Sequence, residues 1–213
     1  MTRPSLSEHM RRQLEAIAEP WALRYIGPTF EGDPEAAFSF SCALGNYKRG
    51  EAAMLLWVAK IPLPAYRAFL QSVWEHDHRH VIAAAGKRIN LEAMFRYAAF
   101  PLPEDMPETV TVWRGTSALT RAQAVRGLSW TLDRDQACWF AMRFAERNGS
   151  PLVLTARVPR SEILLYTDER NEREAVVFRK RAKVDGSPED WARGHAAVKA
   201  ARTTPNALTE ASA

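Results

Sequence analysis

The chain has 213 residues, 46% of them hydrophobic and 25% charged, which describes a globular protein able to bury a core without disulfide or metal staples. Its formal charge of +4 is mild, and the basic residues are scattered apart from Arg179-Lys180-Arg181 with Lys183, a run read as a solvated strand end, so charge alone does not argue for nucleic-acid binding. The opening residues carry no charged-then-apolar leader, no apolar run reaches membrane-spanning length, and Cys42 and Cys138 lie too far apart for metal-ligand spacing, so the expectation is a cytoplasmic, metal-free chain with inert thiols and no membrane partner.

The first hundred residues read as helices. Ser5 to Ala18 carries Leu6, Met10, Leu14 and Ile17 near helical spacing, and Pro20 stops it. Gly27-Pro28 and Gly32-Asp33-Pro34 mark an irregular stretch. Glu51 to Ala59 reads as a short apolar helix. The next begins near Pro64, with Tyr66, Phe69, Leu70, Val73 and Trp74 on one core-facing stripe. Within it, His76 and His80 share a flank as a zinc pair would, yet no zincin glutamate accompanies them, and the segment reads as a polar helix end. Asn90 is a candidate cap for a helix from Leu91 to Ala99, which ends before Pro101 and Pro103.

Beyond that proline-rich link the pattern changes to strands: Thr109 to Trp113, Leu152 to Val158, Ile163 to Tyr166 and Ala175 to Phe178. One helix lies among them. Asp133 and Gln136 are spaced as a capping box, Ala137, Phe140, Ala141 and Phe144 recur on one face, and Asn148-Gly149 closes it. A further helix is expected around Trp191 to Ala201, with a disordered tail beyond Thr203. Helices first and strands later argue for an α+β fold. The chain divides into an N-terminal helical extension (1–35), a main domain (36–185) and a C-terminal helix with a flexible tail (186–213).

Three segments put polar residues where the local pattern wants apolar ones. Val112-Trp113-Arg114-Gly115 ends a strand in an arginine, whose guanidinium can grip a phosphate or carboxylate, and a glycine, which lets a ligand approach the backbone. In Leu128-Ser129-Trp130-Thr131-Leu132-Asp133, Ser129 and Thr131 share one face of a strand and can brace a carboxylate, with Trp130 on the other face. Asn171-Glu172-Arg173-Glu174 runs into Ala175-Val176-Val177-Phe178. Two carboxylates one residue apart then point to the same side of an extended segment, which is costly at the mouth of an apolar strand unless they face a solvated cleft.

In this order the three segments resemble the arginine–serine–glutamate class of mono-ADP-ribosyltransferases, which includes cholera-like and clostridial binary toxins and phage-encoded modifying enzymes. Pro101-Leu102-Pro103-Glu104-Asp105 before the first segment, and Leu132-Asp133 with Ala137 and Phe140-Ala141 after the second, are similar to the family's surroundings. The detailed resemblance covers roughly residues 100 to 180. It implies a split β-sheet core with N-terminal helices packed against it, and NAD as the substrate. It implies that Arg114 binds a phosphate of NAD and Gly115 offers its backbone to the nicotinamide amide. Ser129, with Thr131 beside it, would orient the catalytic carboxylate. Glu174 would hold the ribose hydroxyl and stabilise the cation formed as nicotinamide leaves, and Glu172 would remove the acceptor's proton. A glutamate at that place goes with arginine acceptors, so a protein arginine is the expected target, with the loop from Thr167 to Asn171 helping to choose it. The chain departs from the family at Trp130, where a small hydroxyl residue is usual, and in the short separation between Arg114 and Ser129, which leaves little room for the helix often found there.

No activated cysteine, Gly-x-Ser-x-Gly elbow or phosphate-cradling glycine loop competes with this reading. An NAD glycohydrolase would use the same residues with water as acceptor. A non-enzymatic binding module would use the helical half, and the mild basic balance leaves nucleic acid open as its partner or as the acceptor.

Overall fold

Ser5 caps the first helix through a reciprocal box, its hydroxyl accepting from the Glu8 amide while the Glu8 carboxylate accepts from the Ser5 amide at 2.7 Å. From there the computed structural model describes residues 5–203, so the tail expected to be disordered lies outside the described residues. The chain forms two compact units, one ending at Phe100 and the other beginning at Pro101. That boundary falls in the proline-rich link and does not coincide with the divisions expected at 35/36 and 185/186.

The first unit holds helices α1 (Leu6–Ile17), α2 (Ile26–Glu31), α3 (Pro34–Ala43), α4 (Asn46–Ala59), α5 (Leu63–Ala85) and α6 (Arg88–Ala98). The stripe foreseen on α5 is its core: Tyr66, Phe69, Leu70, Val73 and Trp74 are buried, with Phe40 packed on Phe69 and Phe95 edge-on to Trp74. The stretch expected to be irregular is helical. Gly32, at φ 101°, ends α2, and Asp33 caps α3 with Pro34 in its first turn, so the glycine and prolines punctuate helices rather than exclude them. Asn90 is not a cap either. It lies inside α6 and donates from its side chain to the Ala85 carbonyl at the end of α5, which also accepts from the Lys87 amide.

Near its C-terminal half α5 is kinked at Asp77, whose carboxylate pairs with Arg49 of α4. His76 meets the Ser72 carbonyl, His78 lies against Trp74 and His80 against Tyr47, so the three rings disperse. Among the described residues no group of three or more His, Cys, Asp or Glu is placed to hold a metal, and no helix is long and apolar enough to cross a membrane.

The second unit is built on a six-stranded antiparallel sheet, so the chain as a whole is α+β. Its elements are β1 (Thr109–Thr116), α7 (Arg121–Arg126), β2 (Ser129–Thr131), α8 (Arg134–Met142), α9 (Ala145–Asn148), β3 (Leu152–Pro159), β4 (Ile163–Thr167), β5 (Glu174–Val177), β6 (Lys183–Val184) and α10 (Pro188–Thr203). The strand order is β4-β5-β2-β1-β3-β6. Pairing is uneven. β1 runs beside β3 over its full length, from Thr109 opposite Pro159 to Thr116 opposite Leu152, whereas β1 and β2 share a single pair, Trp113 opposite Thr131. The sheet therefore opens between its two central strands beyond Trp113.

One face buries Val110, Val112, Trp130, Leu154, Ala156, Ala175 and Val177. The other carries α8, whose Ala137, Cys138 and Ala141 pack with Val153 and Trp191. The buried stripe of α8 is thus its small residues, while Phe144, expected on that face, is exposed. Asp133 caps α8 by accepting from the Asp135 and Gln136 amides, but Gln136 does not close the expected box. The Asp133 amide already donates to the Thr131 hydroxyl, and the Gln136 side chain instead accepts from Arg202 of α10. In the short span between Arg114 and Ser129 a helix does fit: Thr120 and Gln123 cap α7 reciprocally in a single compact turn and a half.

Candidate functional site

The three polar segments lie on adjacent strands at the centre of the sheet. Ser129 pairs with Val176 and Thr131 with Glu174 across the β2–β5 ladder, and Thr131 also faces Trp113 of β1 and Thr167 faces Glu174 from β4. In an antiparallel sheet, directly opposed residues share a face. Ser129, Thr131 and Glu174 therefore project together from the side that carries α8. Trp130 points the other way, into the core, with its indole nitrogen donating to the Gly127 carbonyl at 3.1 Å. The ring thus lies on the face away from Ser129, Thr131 and Glu174.

Arg114 sits where the sheet opens. Strand alternation sets it in line with Val110 and Val112, opposite Leu154, but the guanidinium turns into the gap and donates from Nη1 to the main-chain carbonyl of Ser129. A side chain thus supplies the hydrogen bond that the missing β1–β2 ladder does not. Gly127 forms the wall beside it: a Cβ there would lie 2.5 Å from Nη2 and closer still to Cζ and Nε. The Nε atom is buried and has no hydrogen-bond partner among the described residues. Burial pushes the Arg114 pKa down from its ordinary value, and the Glu174 carboxylate pushes the other way. A buried cation with an unused donor is expensive, and an anion arriving beside it repays that cost.

Gly115 has a packing role that sequence reasoning did not supply. A Cβ there would lie 2.6 Å from the Ala137 carbonyl carbon and 2.8 Å from the Ala141 nitrogen, so α8 can approach β1 only over a glycine. Among the described residues no β1–β2 pair follows Trp113, and Gly115 lies half-buried beside the gap that the Arg114 guanidinium enters.

The two carboxylates do meet on one side, though not by strand alternation. Arg173, at φ 45°, breaks the extended run, and β5 begins only at Glu174. Two other contacts hold them together. The Thr131 hydroxyl donates to the Glu172 carbonyl at 2.6 Å, and Nη2 of Arg170 lies 3.0 Å from Glu172 and 3.6 Å from Glu174. The Glu174 side chain is only 12% exposed and Glu172 18%, against 51% for Arg170.

Sequence reasoning missed four contributors. Arg170 stands two and four residues before the glutamates, a spacing that signals a clamp only once the intervening turn is known. Gly127 gave a faint sign by preceding the serine segment. Lys180, read as part of a solvated strand end, is half-buried and donates to the carbonyls of Gly127 at 2.6 Å and Val177 at 2.8 Å, with its ammonium 5.2 Å from the centre of the Trp130 ring. Arg143, just past α8, stacks on Trp139, Phe140 and Phe144. Burial pushes its pKa down, and the charge of Glu172 pushes it the other way.

The arrangement offers a buried guanidinium at Arg114 with an unused donor, a stretch of β1 at Gly115 not paired with β2, a hydroxyl strand and two carboxylates that a cation bridges. No protein-family model, curated protein or solved structure matches the chain.

Proposed function

We propose that this chain is a mono-ADP-ribosyltransferase, with the second unit as an ADP-ribosyltransferase-like core that splits NAD and transfers ADP-ribose to a macromolecule, a protein arginine being the expected acceptor. The observation that carries the reading is the placement of Arg114, Ser129 with Thr131, and Glu174 on the adjacent strands β1, β2 and β5, with Glu172 in the turn that leads into β5, although they are spread over some sixty residues of sequence. The opening between β1 and β2, with a buried guanidinium in it, fits a split-sheet core.

On this reading Arg114 takes a phosphate of NAD through a charge-assisted bond. Main-chain groups at Gly115 hold the nicotinamide amide. Glu174, shielded from solvent, provides fixed negative charge beside the ribose carbon that becomes cationic as nicotinamide departs. Thr131 secures the Glu172 backbone, and the Glu172 carboxylate accepts the proton of the attacking acceptor. The salt bridges of Arg170 to both carboxylates favour arginine as the acceptor, since they display the guanidinium–carboxylate geometry that an incoming arginine would adopt.

The test is to incubate the protein with labelled NAD and a whole-cell lysate, following both nicotinamide release and label on macromolecules. The transferase reading predicts labelled protein, with Glu172→Gln lowering label transfer more than nicotinamide release. Release with no labelled macromolecule from any lysate would turn the reading to an NAD glycohydrolase. The absence of both would end the enzymatic account.

A further inference from the structure

The second unit also carries a patch in which arginines lie against aromatic rings. Arg143, just past α8, has its guanidinium carbon 4.5, 4.7 and 5.0 Å from the ring centres of Trp139, Phe140 and Phe144. Arg202 of α10 covers Trp139 at 3.9 Å, and Arg147 of α9 lies 5.5 Å from the Phe144 ring. All three arginines are exposed. Among the described residues none of the three forms a salt bridge, and Glu146, in the same short helix as Arg147, pairs with none of them. Arg202 Nη2 donates to Gln136 Oε1 at 3.4 Å, while Gln136 Nε2 is buried and has no hydrogen-bond partner among the described residues. The patch therefore holds three uncompensated cations and an unspent donor, so an anionic group gains by arriving there.

The rings on which a nucleobase would stack already carry the chain's own guanidiniums. What the patch leaves free is the N–H edges of the arginines, which suit carboxylates. Burial lowers the Arg143 pKa, Glu172 raises it, and Arg202 and Arg170 lower it, so the patch and the second carboxylate act on each other electrostatically.

We propose that this patch docks acidic residues of the acceptor protein, so that the chain selects arginines flanked by glutamate or aspartate. The inference rests on the transferase reading and narrows its acceptor. Opposite charges read the acceptor at two places: its arginine at Glu172 and Glu174, its carboxylates at Arg143, Arg147 and Arg202. An arginine set among basic residues is repelled by the same cations. The transfer step is that of any guanidine acceptor. The bond from ribose C1′ to the nicotinamide nitrogen breaks, nicotinamide leaves with the bonding pair, the acceptor nitrogen bonds to C1′, and the proton it loses passes to Glu172 and on to solvent.

The experiment gives the full chain labelled NAD and two synthetic peptides, each with one arginine, flanked by glutamates in one and glutamines in the other. Agmatine, a guanidine without flanks, is the baseline acceptor. The acidic peptide should be labelled about tenfold more efficiently at low salt, the size expected of a few part-exposed ion pairs, with the preference shrinking as salt rises. Combining Arg147→Gln with Arg202→Gln should bring the two peptides level and leave agmatine labelling unchanged. Binding without NAD is followed in parallel by fluorescence anisotropy of both peptides and of a single-stranded oligonucleotide. Equal labelling of the peptides by the wild type, or a preference that survives the double variant, would overturn the inference, while labelled agmatine keeps the transferase reading. An oligonucleotide that binds more tightly than the acidic peptide, and loses that binding in the double variant, would assign the patch to nucleic acid and also overturn it. If agmatine and both peptides stay unlabelled, the transferase reading falls and anisotropy decides the docking claim by itself. Binding of the acidic peptide that the double variant loses would then support it, and equal binding of the two peptides would overturn it.

Discussion

Replacing Thr131 with Val tests how the second carboxylate is positioned. The Thr131 hydroxyl donates to the Glu172 carbonyl at 2.6 Å and accepts from the Asp133 amide at 3.0 Å, joining the glutamate turn to the start of α8. Valine keeps the shape and removes both bonds. Each is worth about 1 kcal/mol net, and an orphaned polar group costs about 1–3 kcal/mol when fully buried. Both partners here are part-buried, so the expected loss is about 2–3 kcal/mol. Because the chain has two units, the site-specific readout is amide exchange at Asp133, which should quicken roughly 30-fold or more, with a matching fall in the urea midpoint of the second unit. Thr131→Ser should restore most of the loss. A valine variant within about 0.5 kcal/mol of wild type, with Asp133 exchange unchanged, would refute the claim that this hydroxyl holds the turn.

Two glycine substitutions should separate packing from ligand binding. Gly115→Ala drives a Cβ into the α8 backbone and should cost at least about 2 kcal/mol by urea titration. Gly127→Ala presses on the Arg114 guanidinium, a side chain able to shift, and should weaken NAD binding, measured calorimetrically, more than it lowers stability. Burial pushes the Cys138 thiol up to about 11, so iodoacetamide at pH 8 should label Cys42 and reach Cys138 only after unfolding. The same shift has a stability consequence. Above pH 9 the unfolded chain ionises this thiol while the folded chain keeps its proton, so stability should fall between pH 9 and about 11, and Cys138→Ala should flatten that fall in pH-dependent melting. Lys180→Met removes two donors from the Gly127 and Val177 carbonyls and should lower the melting temperature, in contrast with Arg181→Met at the neighbouring position.

Much of the fold was legible because local pattern and tertiary demand agree. The stripe on α5 and the β-branched run of β1 each point to one structure, and the core uses them as read. Legibility failed where a residue answers to a distant partner. Asn90 has the chemistry of a cap, but it lies inside α6 and its side chain donates to the Ala85 carbonyl at the end of α5. Gln136 has the spacing of a capping box, but Thr131 had already taken the Asp133 amide. The candidate site divides the same way. Arg114, Ser129 and Glu174 disturb the hydrophobic pattern and can be found from it. Gly127, Lys180 and Arg170 do not, because their roles arise from the opening between β1 and β2 and from a turn set by left-handed residues at Asn171 and Arg173.

The central claim is that Glu174 stabilises positive charge on the ribose of NAD, and nicotinamide release tests it most directly. Wild-type protein and Glu174→Gln should be compared at saturating NAD, with folding of the variant verified by urea titration. The substitution keeps the shape of the side chain and removes its charge, so the account predicts a fall of about 10²–10³-fold in the rate of release with stability little changed. Equal rates for the two proteins, or no release from the wild type under any condition, would contradict it.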